Sequence, residues 1–599
     1  MASKPKSLHL SRPFAHPVAA VWPTLSDTAR FNEAADLPKH IIEEIPQPDG
    51  SVRYFARAKK GPFPLAWEEQ PVNWVAHQWF EHRRDFTTGP LTFLTAKLEM
   101  EKTDAGCLAH FDITAAPRNA LGQIILATGF FPAVRKIYEQ LFDDAERIAA
   151  QPDEHALTFQ APQQSAALKK RIDEMGDRVE ASGHGHGLTE RLTDLIATAQ
   201  EVDLVHLRPL RLAKLWNVPP RQAIELCLEA TRSGLLAMRW DLLCPRCRIP
   251  KAATSALDEL PTGTHCDTCN IDYDREFSRN VEISFNPDPS IRSILAGEYC
   301  LFGPISTPHI LAQVALSPGE EKLLPADLPP GAYRFRSLEP GPQVDFSVEG
   351  SDWPQLILTE NGFATQGQSR TGHLQFVNKS QRSLIAIVEE RDWVHDALTA
   401  DRVTSLQAFR DLFSDQILRP GDEVAIGHVT ILFSDLRSST ELFDLIGDAA
   451  AYHLVRDHFA FLAGIVRCHN GAIVKTIGDA IMASFAEPSD GLKAALEIQE
   501  TISTFNAESD QEAIVIKLGL HSGPCIAVTL NDRLDYFGAT VNLAARLQGE
   551  SQGGDIVISE NLACDPLVAD LIESVPQRQE DCQLKGFRET SSLIRLQPA

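Results

Sequence analysis

Two aspartates in the last third of the sequence have surroundings typical of a divalent-metal site. Asp435 ends the apolar run HVTILFSD, and Asp479 follows Gly478 in the mostly apolar stretch IVKTIGDAIMASF. The first pattern predicts a β-strand that delivers its aspartate into a turn, and the second predicts a hairpin with Gly478-Asp479 at its turn. Carboxylates at neighbouring strand ends can hold divalent cations, and two such cations suit in-line displacement at phosphorus. The pair therefore predicts chemistry at a phosphate group.

Lys475 lies four residues before Asp479 in the same stretch. A charge among apolar residues is costly unless it is paired, hydrogen-bonded or bound to a metal. The simplest interpretation is a salt bridge between Lys475 and Asp479. The alternative is that the two side chains face different ligands.

A third block, KLGLHSGPCIAVTLNDRLDYFGATVNLAARLQ, supplies further polar candidates. Arg533 and Arg546 add the positive charge that stabilises phosphoryl transition states. Asn542 and Arg546 are four residues apart on a predicted helix and so share one face. The residues 438–440 lie near the start of another predicted helix, where backbone N–H groups favour phosphate.

Five motifs, FSDL, KTIGDA, GLHSGP, DYFGATVNLAAR and LKGF, occur in this order and resemble the class III nucleotidyl cyclase catalytic domain. The resemblance covers under a third of the chain, and it implies a ferredoxin-like α+β domain within residues 421–599.

By this resemblance, Asp435 and Asp479 are the metal ligands, with the Leu436 carbonyl as a third. Lys475 and Asp535 correspond to the pair that recognises adenine. The metal would be Mg2+ or Mn2+, two ions per active site.

The resemblance also implies roles in binding ribose and phosphate. Asn542 would orient the ribose, and Arg546 would stabilise charge on the α-phosphate. Lys585 and Arg533 would hold the β- and γ-phosphates. The sequence departs from the family at Ser438, where the turn after the first metal aspartate usually has glycine.

These roles imply an adenylate cyclase that converts ATP into 3′,5′-cyclic AMP and pyrophosphate. In this family the sites form between two subunits, with metal ligands from one subunit and base-reading and transition-state residues from the other. This chain carries both sets, which implies a homodimer with two equivalent sites. A guanylate cyclase that uses GTP is an alternative. Lys475 with Asp535 favours ATP, because guanine-selective relatives generally have other residues at these positions.

Four of the eleven cysteines form two C-x2-C pairs, Cys244 with Cys247 and Cys266 with Cys269. Each pair sets two thiolates on a tight turn, and two such turns can close a tetrahedral cage of four sulfurs, the geometry that zinc prefers. The pattern predicts a structural Zn2+ in a zinc ribbon over residues 244–285. A redox centre is the rival interpretation, although one C-x2-C pair would suffice for it.

The residues 188–243 precede the cysteines and resemble a winged helix-turn-helix, with a short helix, an NVPP turn, a second helix and the strand GLLAMRW. From Val205 to Lys251 there are nine Lys/Arg and three Asp/Glu, against a net charge of −25 for the whole chain. A nucleotide-responsive DNA-binding regulator is therefore a second functional hypothesis. The overall negative charge weighs against it, so nucleic acid is not an expected partner.

The residues 1–150 show a helical stretch, a strand meander and a long final helix at about 121–151, an order that resembles the START-like helix-grip family. The resemblance implies a cavity for a hydrophobic small ligand, whereas a filled core is the alternative. The polar residues 151–187 predict a linker, and His184 and His186 within it are interpreted as linker residues, because two lone histidines lack further metal ligands.

The rest of the chain is predicted to contain a β-sandwich at 286–395 and a linker helix at 396–420. The residues Val394, Leu398, Val403, Leu406, Phe409 and Phe413 predict an approximate apolar stripe on this helix. The helix would either pair across a dimer or act as a spacer. The 599 residues thus predict a multidomain α+β protein. Its modules before residue 421 are expected to regulate the C-terminal catalytic domain. The start lacks a signal-peptide pattern, and the longest apolar run is broken by Gly129 and Pro132. A soluble cytoplasmic protein without a membrane segment is expected.

Overall fold

The computed structural model describes the residues 4–48, 51–60, 63–151, 157–161, 164–266, 269, 271–294, 297, 299–300, 303–326, 328–339, 341–350, 352–391, 397–419, 421–508, 512–586 and 590–598. Within these ranges the chain forms five β-sheets.

The N-terminal unit begins with a strand, continues through two short helices and a meander, and ends in two helices. Its elements are β1 (Lys6–Phe14), α1 (Val18–Leu25), α2 (Thr28–Ala34), β2 (Ile41–Pro46), β3 (Val52–Lys60), β4 (Phe63–Glu69), β5 (Asn73–Val75), β6 (Trp79–Phe86), β7 (Leu91–Thr103), β8 (Gly106–Pro117), α3 (Ala120–Thr128) and α4 (Phe130–Ala150). Every second side chain of β8 from Cys107 to Ala115 is buried, as expected for a strand with one face on a core. The prediction of one long helix at 121–151 is wrong, because the structure has two helices there. Gly129 ends α3 and caps the start of α4.

A cavity of about 140 Å³ lies in this unit. Val134 and Tyr138 of α4 line one side, and Phe80 and Phe111 of the sheet line another. Cys300, which comes from outside the unit, also lines it. Pockets for drug-sized ligands have volumes of roughly 300–1,000 Å³, so in this conformation the cavity accepts only a small occupant. The START-like assignment stays a prediction.

A middle unit of helices and short strands follows. Its elements are α5 (Ala166–Ala181), α6 (Thr189–Thr198), α7 (Glu201–Leu204), α8 (Pro209–Trp216), α9 (Pro220–Ser233), β9 (Leu236–Leu243), β10 (Pro250–Thr254), β11 (Gly263–Cys266), β12 (Ile271–Asp274) and β13 (Val281–Pro287). The strands β10, β9 and β13 form one sheet, and β11 and β12 form a hairpin. The order α8, turn, α9, β9 is the one predicted from the winged-helix pattern.

The predicted linker over 151–187 is wrong for its second half. Helix α5 occupies it, and Ile172 and Val179 of α5 are buried in a core shared with α6 and α9. The polar composition reflects one exposed face of an amphipathic helix. His184 and His186 follow α5 in a turn that lies against Glu225 of α9, so they are not free linker residues.

Helix α9 is the element that a DNA-binding winged helix would place in the major groove. Every residue from Ala223 to Ala230 is buried, including the acidic Glu225 and Glu229. A recognition helix needs exposed side chains that reach base edges. The burial of α9 therefore counts against the DNA-binding hypothesis.

A β-rich unit follows, but it is not a separate domain as predicted for 286–395. Its strands are β14 (Ile310–Leu316), β15 (Glu321–Pro325), β16 (Gly331–Ser337), β17 (Val344–Val348), β18 (Gln355–Thr359), β19 (Gly362–Gln366), β20 (His373–Asn378) and β21 (Leu384–Glu390). Strands β15, β20, β18 and β19 form one sheet, and β14, β21, β16 and β17 form the other layer around a shared core. This second layer continues the N-terminal sheet, because Ala312 and Gln313 of β14 pair with Val75 and Trp74 of β5.

The predicted linker helix at 396–420 is two short helices, α10 (Ala400–Thr404) and α11 (Gln407–Leu412). Val403 and Phe409 from its predicted apolar stripe are buried against the middle and C-terminal units of the same chain. The stripe therefore packs within the chain, which excludes the predicted pairing across a dimer in this conformation. Val394 of the predicted stripe lies outside the described residues.

The C-terminal unit contains β22 (Val424–Leu436), α12 (Ser439–Ile446), α13 (Asp448–Cys468), β23 (Ala472–Ile477), β24 (Ala480–Phe485), α14 (Pro488–Glu508), β25 (Ile516–Leu530), β26 (Arg533–Phe537), α15 (Ala539–Glu550), β27 (Ile556–Ser559), α16 (Glu560–Ala563), α17 (Pro566–Ile572), β28 (Gln577–Cys582) and β29 (Ser591–Leu596). The sheet order β23-β24-β22-β25 gives the predicted ferredoxin-like arrangement, with β27, β29 and β28 added beside β25 and with β26 paired to it. Helices α13, α14 and α17 share a core with one face of this sheet. The other face packs on α15, α11 and the middle unit. In the part of the chain that the structure describes, no helix has the length and hydropathy of a membrane span.

Candidate active site

Strand β22 brings Asp435 beside the turn between β23 and β24. In the antiparallel pairing of β22 with β24, Ser434 lies opposite Ile481, so Asp435 is adjacent to the Gly478-Asp479 turn. Gly478 has a φ of 65°, which suits the first central position of a type II′ hairpin turn. The predicted hairpin with its turn at these two residues is confirmed.

The two carboxylates are close enough to influence each other. Burial raises the pKa of Asp435 above its usual value, and the negative charge of Asp479 raises it further. Asp479 Oδ2 is buried and accepts no hydrogen bond from the described residues. A buried carboxylate oxygen without a partner is costly, and a divalent cation between two carboxylates supplies the missing charge. These residues fit the predicted Mg2+ or Mn2+ site, with Leu436 next to Asp435 at the end of β22.

Three further residues near the carboxylates are not predicted by the sequence. Gln548 Nε2 of α15 lies 3.5 Å from Asp435 Oδ2, and the positive charge of Lys517 lowers the pKa of Asp435. His458 of α13 is buried with neither ring nitrogen hydrogen-bonded to a described residue, and burial lowers its pKa to about 4. Lys517 and Gln548 are the first and last residues of the third sequence block. His458, in contrast, is an isolated histidine on a helix, and such a residue gives no signal in a sequence.

Lys475 forms an ion pair with Asp535 of β26, with Nζ and Oδ2 2.6 Å apart. The pairing of β23 with β24 has a bulge between Ile473 and Lys475, and bulges redirect side chains. Asp535 Oδ1 accepts a hydrogen bond from the backbone N–H of Tyr536. The partner of Lys475 is thus Asp535, and the local salt bridge with Asp479 is the wrong alternative.

The segment around α11 lies across the strands that carry this pair. Arg410 Nη1 donates to the Leu534 carbonyl, 2.9 Å away, and its guanidinium stacks 5.5 Å from the centre of the Tyr536 ring. Gln407 Oε1 accepts from the Ile473 N–H at 2.8 Å. The segment therefore contacts both strands that carry the ion pair, β26 at Leu534 and Tyr536 and β23 at Ile473.

Helix α15 carries Asn542 and Arg546, and both are exposed. The helix lies directly on β25, where a Cβ on Gly519 would be 2.0 Å from the backbone nitrogen of Gln548. Only glycine at 519 permits this approach. The two side chains therefore project from one exposed face of a helix that is fixed on the sheet.

Arg533 and Lys585, the predicted phosphate ligands, are also exposed. Arg533 directly follows the turn at Asn531 and Asp532, which joins β25 to β26 and has positive φ at both residues. Lys585 follows β28 in the chain. Four predicted substrate-binding side chains are thus accessible to solvent: Arg533, Asn542, Arg546 and Lys585. Lys475 is half-buried.

The backbone conformation of Ser438, three residues after the predicted metal ligand Asp435, favours glycine. It precedes α12 in the left-handed conformation, with φ 55° and ψ 36°, and its side chain makes no capping hydrogen bond. A residue with a Cβ pays roughly 1–2 kcal/mol for this conformation, whereas glycine adopts it freely.

Ser438→Gly is expected to stabilise the C-terminal unit by up to about 1 kcal/mol, because glycine removes the left-handed strain but loses some entropy on folding. This should raise the melting temperature in calorimetry by roughly 2–4 °C. Ser439→Gly is the matched control. Ser439 is the first residue of α12, so glycine there should lower the melting temperature. A fall in both variants would show that residue 438 is not left-handed in solution.

The four cysteines form a second candidate centre. Their ligand atoms all lie within 4.8 Å of one another, all four residues are buried, and Cys247 Sγ is 3.7 Å from Cys266 Sγ. A tetrahedral site with Zn–S bonds of about 2.3 Å separates its sulfurs by about 3.8 Å. No disulfide links these cysteines. The geometry fits the predicted zinc.

Positive side chains face this centre. Burial acts to lower the pKa of Lys251, but the negative charge of the thiolates, together with Glu44, raises it overall. Burial acts in the same way on the pKa of the fully buried Arg336, which is raised overall by its partner Glu389 and, to a smaller extent, by the thiolates. Because four thiolates around one Zn2+ have a net charge of −2, nearby cations offset their burial. Arg336 and Glu389 belong to β16 and β21, so the centre also joins the middle unit to the β-rich unit.

Residues 423–591 match the adenylate and guanylate cyclase catalytic domain. The C-terminal unit is therefore a class III adenylate/guanylate cyclase catalytic domain. Residues 180–306 match a family of unknown function, DUF5939.

The similar proteins include both adenylate cyclases and guanylate cyclases. An adenylate cyclase of Lachancea kluyveri is 29% identical over 181 residues, which are 26% of this chain and 10% of that protein. Human retinal guanylyl cyclase 1 is 33% identical over 147 residues, 22% of this chain and 13% of that protein. The adenylyl cyclase CyaB from P. aeruginosa is a similar solved structure, 22% identical, covering 30% of this chain and 97% of that chain with a TM-score of 0.27. This chain thus spans about a tenth of the length of each of these two curated relatives.

Proposed function

We propose that the protein is an adenylate cyclase that converts ATP into 3′,5′-cyclic AMP and pyrophosphate. The observation that carries the choice of ATP is the ion pair of Lys475 with Asp535. A cationic donor beside a carboxylate acceptor matches the ring-nitrogen acceptor and the N6 amino donor of adenine. Guanine presents an oxygen acceptor at the position of the amino group, so GTP is the alternative substrate that a direct comparison tests.

In the reaction, the ribose 3′-oxygen forms a bond to the α-phosphorus, and the bond from that phosphorus to the pyrophosphate leaving group breaks. The hydroxyl proton passes to water. Asn542 orients the ribose, Arg546 offsets negative charge on the α-phosphate, and Arg533 and Lys585 hold the leaving phosphates. Preorganised charge of this kind is effective because it needs no rearrangement during the reaction.

Asp435, Asp479 and the Leu436 carbonyl would hold two Mg2+ or Mn2+ ions. When bound, such ions offset charge on the phosphates and orient the reacting oxygens. The unpaired Oδ2 of Asp479 supports this role, because it is a buried acceptor aimed at no described donor.

We further propose that two chains share each active site in a homodimer. Two large apolar residues support a partner surface beside the base-reading pair. Ile477, two residues after Lys475 in β23, is 50% exposed, and Phe537, two residues after Asp535 in β26, is 61% exposed. Because side chains alternate along a strand, each apolar residue shares a face with its charged neighbour. An exposed apolar surface of this kind is typical of an interface.

The N-terminal modules are proposed to regulate this unit. Support comes from α11, whose contacts with Leu534, Tyr536 and Ile473 surround the Lys475–Asp535 pair. A movement of α11 would therefore change the surroundings of the base-reading residues.

The zinc at the four cysteines is proposed to be structural, with no open coordination position.

The proposed activity is tested by incubating the full chain with ATP or GTP in the presence of Mg2+ or Mn2+ and quantifying both cyclic nucleotides. We expect cyclic AMP to be the main product and Asp435→Ala to reduce it by at least about a hundredfold. Asp444→Ala is the matched control, since Asp444 is an exposed aspartate of the neighbouring α12, and it should leave the rate unchanged.

Each alternative gives a distinct result. Preferential formation of cyclic GMP identifies the guanylate cyclase. Absence of any cyclic product with both metals, or a rate unaffected by Asp435→Ala, would falsify the proposed activity.

A further inference from the structure

The turn between α5 and α6 presents two histidines on a preorganised loop. Glu180, near the end of α5, accepts the Gly187 N–H at 2.9 Å and the Thr189 hydroxyl at 2.6 Å. A Cβ on Gly185, between the two histidines, would lie 2.2 Å from Glu180 Oε2, so a side chain there would displace the Glu180 carboxylate from this position. The His-Gly-His sequence is therefore folded tightly around one carboxylate.

Both histidines face a second carboxylate on α9. His186 Nε2 is 2.7 Å from Glu225 Oε2, and His184 Nδ1 is 3.7 Å from the same oxygen. The ligand atoms of the three residues all lie within 4.8 Å of one another. The sequence gives no sign of this group, because Glu225 comes 39 residues after His186.

We propose that His184, His186 and Glu225 form a second metal site, for Zn2+ or a similar transition-metal ion. Imidazole nitrogens and a carboxylate oxygen are ligands that such ions prefer. A tetrahedral site with Zn–N and Zn–O bonds of about 2.0–2.2 Å separates its ligand atoms by about 3.3–3.6 Å. The observed separations of 2.7 and 3.7 Å lie on either side of that range, and all three ligand atoms lie within 4.8 Å of one another, so binding needs side-chain shifts of about 1 Å.

The other oxygen of Glu225 holds the carboxylate in its orientation through a hydrogen bond from Arg221. Arg221 Nε donates to Glu225 Oε1 at 2.7 Å, which leaves Oε2 to face the histidines. Ligating carboxylates are themselves commonly held by hydrogen bonds from outer residues. The histidine side chains remain 31% and 24% exposed, so an ion can enter from solvent, and water can take the fourth position.

The site also lies at a joint with the cyclase domain. Arg221 donates through Nη1 to the carbonyl of Arg467, close to the C-terminal end of α13. Helix α13 leads directly into β23, which carries Lys475. The same arginine therefore connects the metal-binding carboxylate to the element before the base-reading strand.

The test is the metal content of full chains that all carry Asp435→Ala, which disables the carboxylate site of the active centre, after dialysis against excess Zn2+, and separately against Co2+. The parent chain, with no further substitution, should hold two ions, one at the four cysteines and one at the new site. His184→Ala should hold one, with its affinity for the second ion reduced at least about a hundredfold. This variant keeps the His186–Glu225–Arg221 hydrogen bonds, so the fold is preserved.

Cobalt spectra separate the two centres. His184→Ala should retain the thiolate-to-cobalt charge-transfer absorption of the cysteine site and lose only the weaker bands of the nitrogen and oxygen site. His453→Ala, which removes an exposed histidine of α13, should still hold two ions. A parent chain that holds only one ion, or a His184→Ala chain that still holds two, would overturn the proposal.

Discussion

Dimers that combine one Asp435→Ala subunit with one Lys475→Ala subunit are expected to regain cyclase activity that neither variant has alone. In the proposed homodimer, each site takes its metal carboxylates from one chain and its base-reading pair from the other. Each parental homodimer thus lacks the same group in both sites. In the mixed dimer, one site carries both substitutions and the other carries none.

The size of the recovery follows from counting sites. Random assembly of equal amounts makes half of the dimers mixed, and each has one intact site of two, so co-expression should give about a quarter of the wild-type rate. Mixed dimers isolated with two different affinity tags should give about half. Each parent should be reduced at least about a hundredfold. Cyclic AMP formation under saturating ATP measures all three.

Two controls separate this result from general damage. Lys493→Ala removes an exposed lysine of α14 and Asp444→Ala removes an exposed aspartate of α12, and their homodimers should keep the wild-type rate. If isolated mixed dimers are as inactive as both parents, each site is built from a single chain and the shared arrangement is wrong.

Cys244→Ser is expected to release the ion from the cysteine site and to unfold its surroundings. Apparent zinc-binding free energies in small zinc domains are about 10–16 kcal/mol and act as folding free energy. Loss of one thiolate also leaves three buried cysteines next to the cationic Lys251 and Arg336. The hairpin of β11 and β12 should then exchange its amide hydrogens freely, and thiolate-to-cobalt absorption should disappear.

The matched control is Cys564→Ser, since Cys564 is an exposed free cysteine of the C-terminal unit. It should keep both the cobalt spectrum and the amide protection of the hairpin. Absence of thiolate-to-cobalt absorption in the unsubstituted chain, together with unchanged amide protection in Cys244→Ser, would indicate that the four cysteines form a reduced cluster without a structural ion.

Local patterns in the sequence predicted the parts of the site that lie within single motifs. The Gly478-Asp479 turn follows from turn chemistry between two apolar runs, and the shared face of Asn542 and Arg546 follows from helical spacing. The four cysteines were likewise visible, because two C-x2-C pairs define the geometry of a tetrahedral cage. In each case a few adjacent residues determine the structure.

Contacts between distant segments were not predictable in this way. The pairing of β5 with β14, the position of α11 on β23 and β26, and the contact of His186 with Glu225 each depend on packing between parts of the chain far apart in sequence. The polar composition before residue 187 suggested a linker, yet Ile172 and Val179 are enough to anchor α5. Hydrophobic periodicity indicates that a face is buried but not which surface covers it.

The pairing of β5 with β14 also sets the order in which the protein can fold during synthesis. Trp74 Nε1 donates to the Ile310 carbonyl, 236 residues later in the chain. At roughly 5–20 residues per second, the ribosome needs roughly ten to fifty seconds to reach β14 after β5. During this interval the nascent N-terminal sheet has an open edge at β5, and open edges readily pair with other chains. Until β14 is synthesised, this edge of the N-terminal sheet is therefore exposed to pairing with other chains.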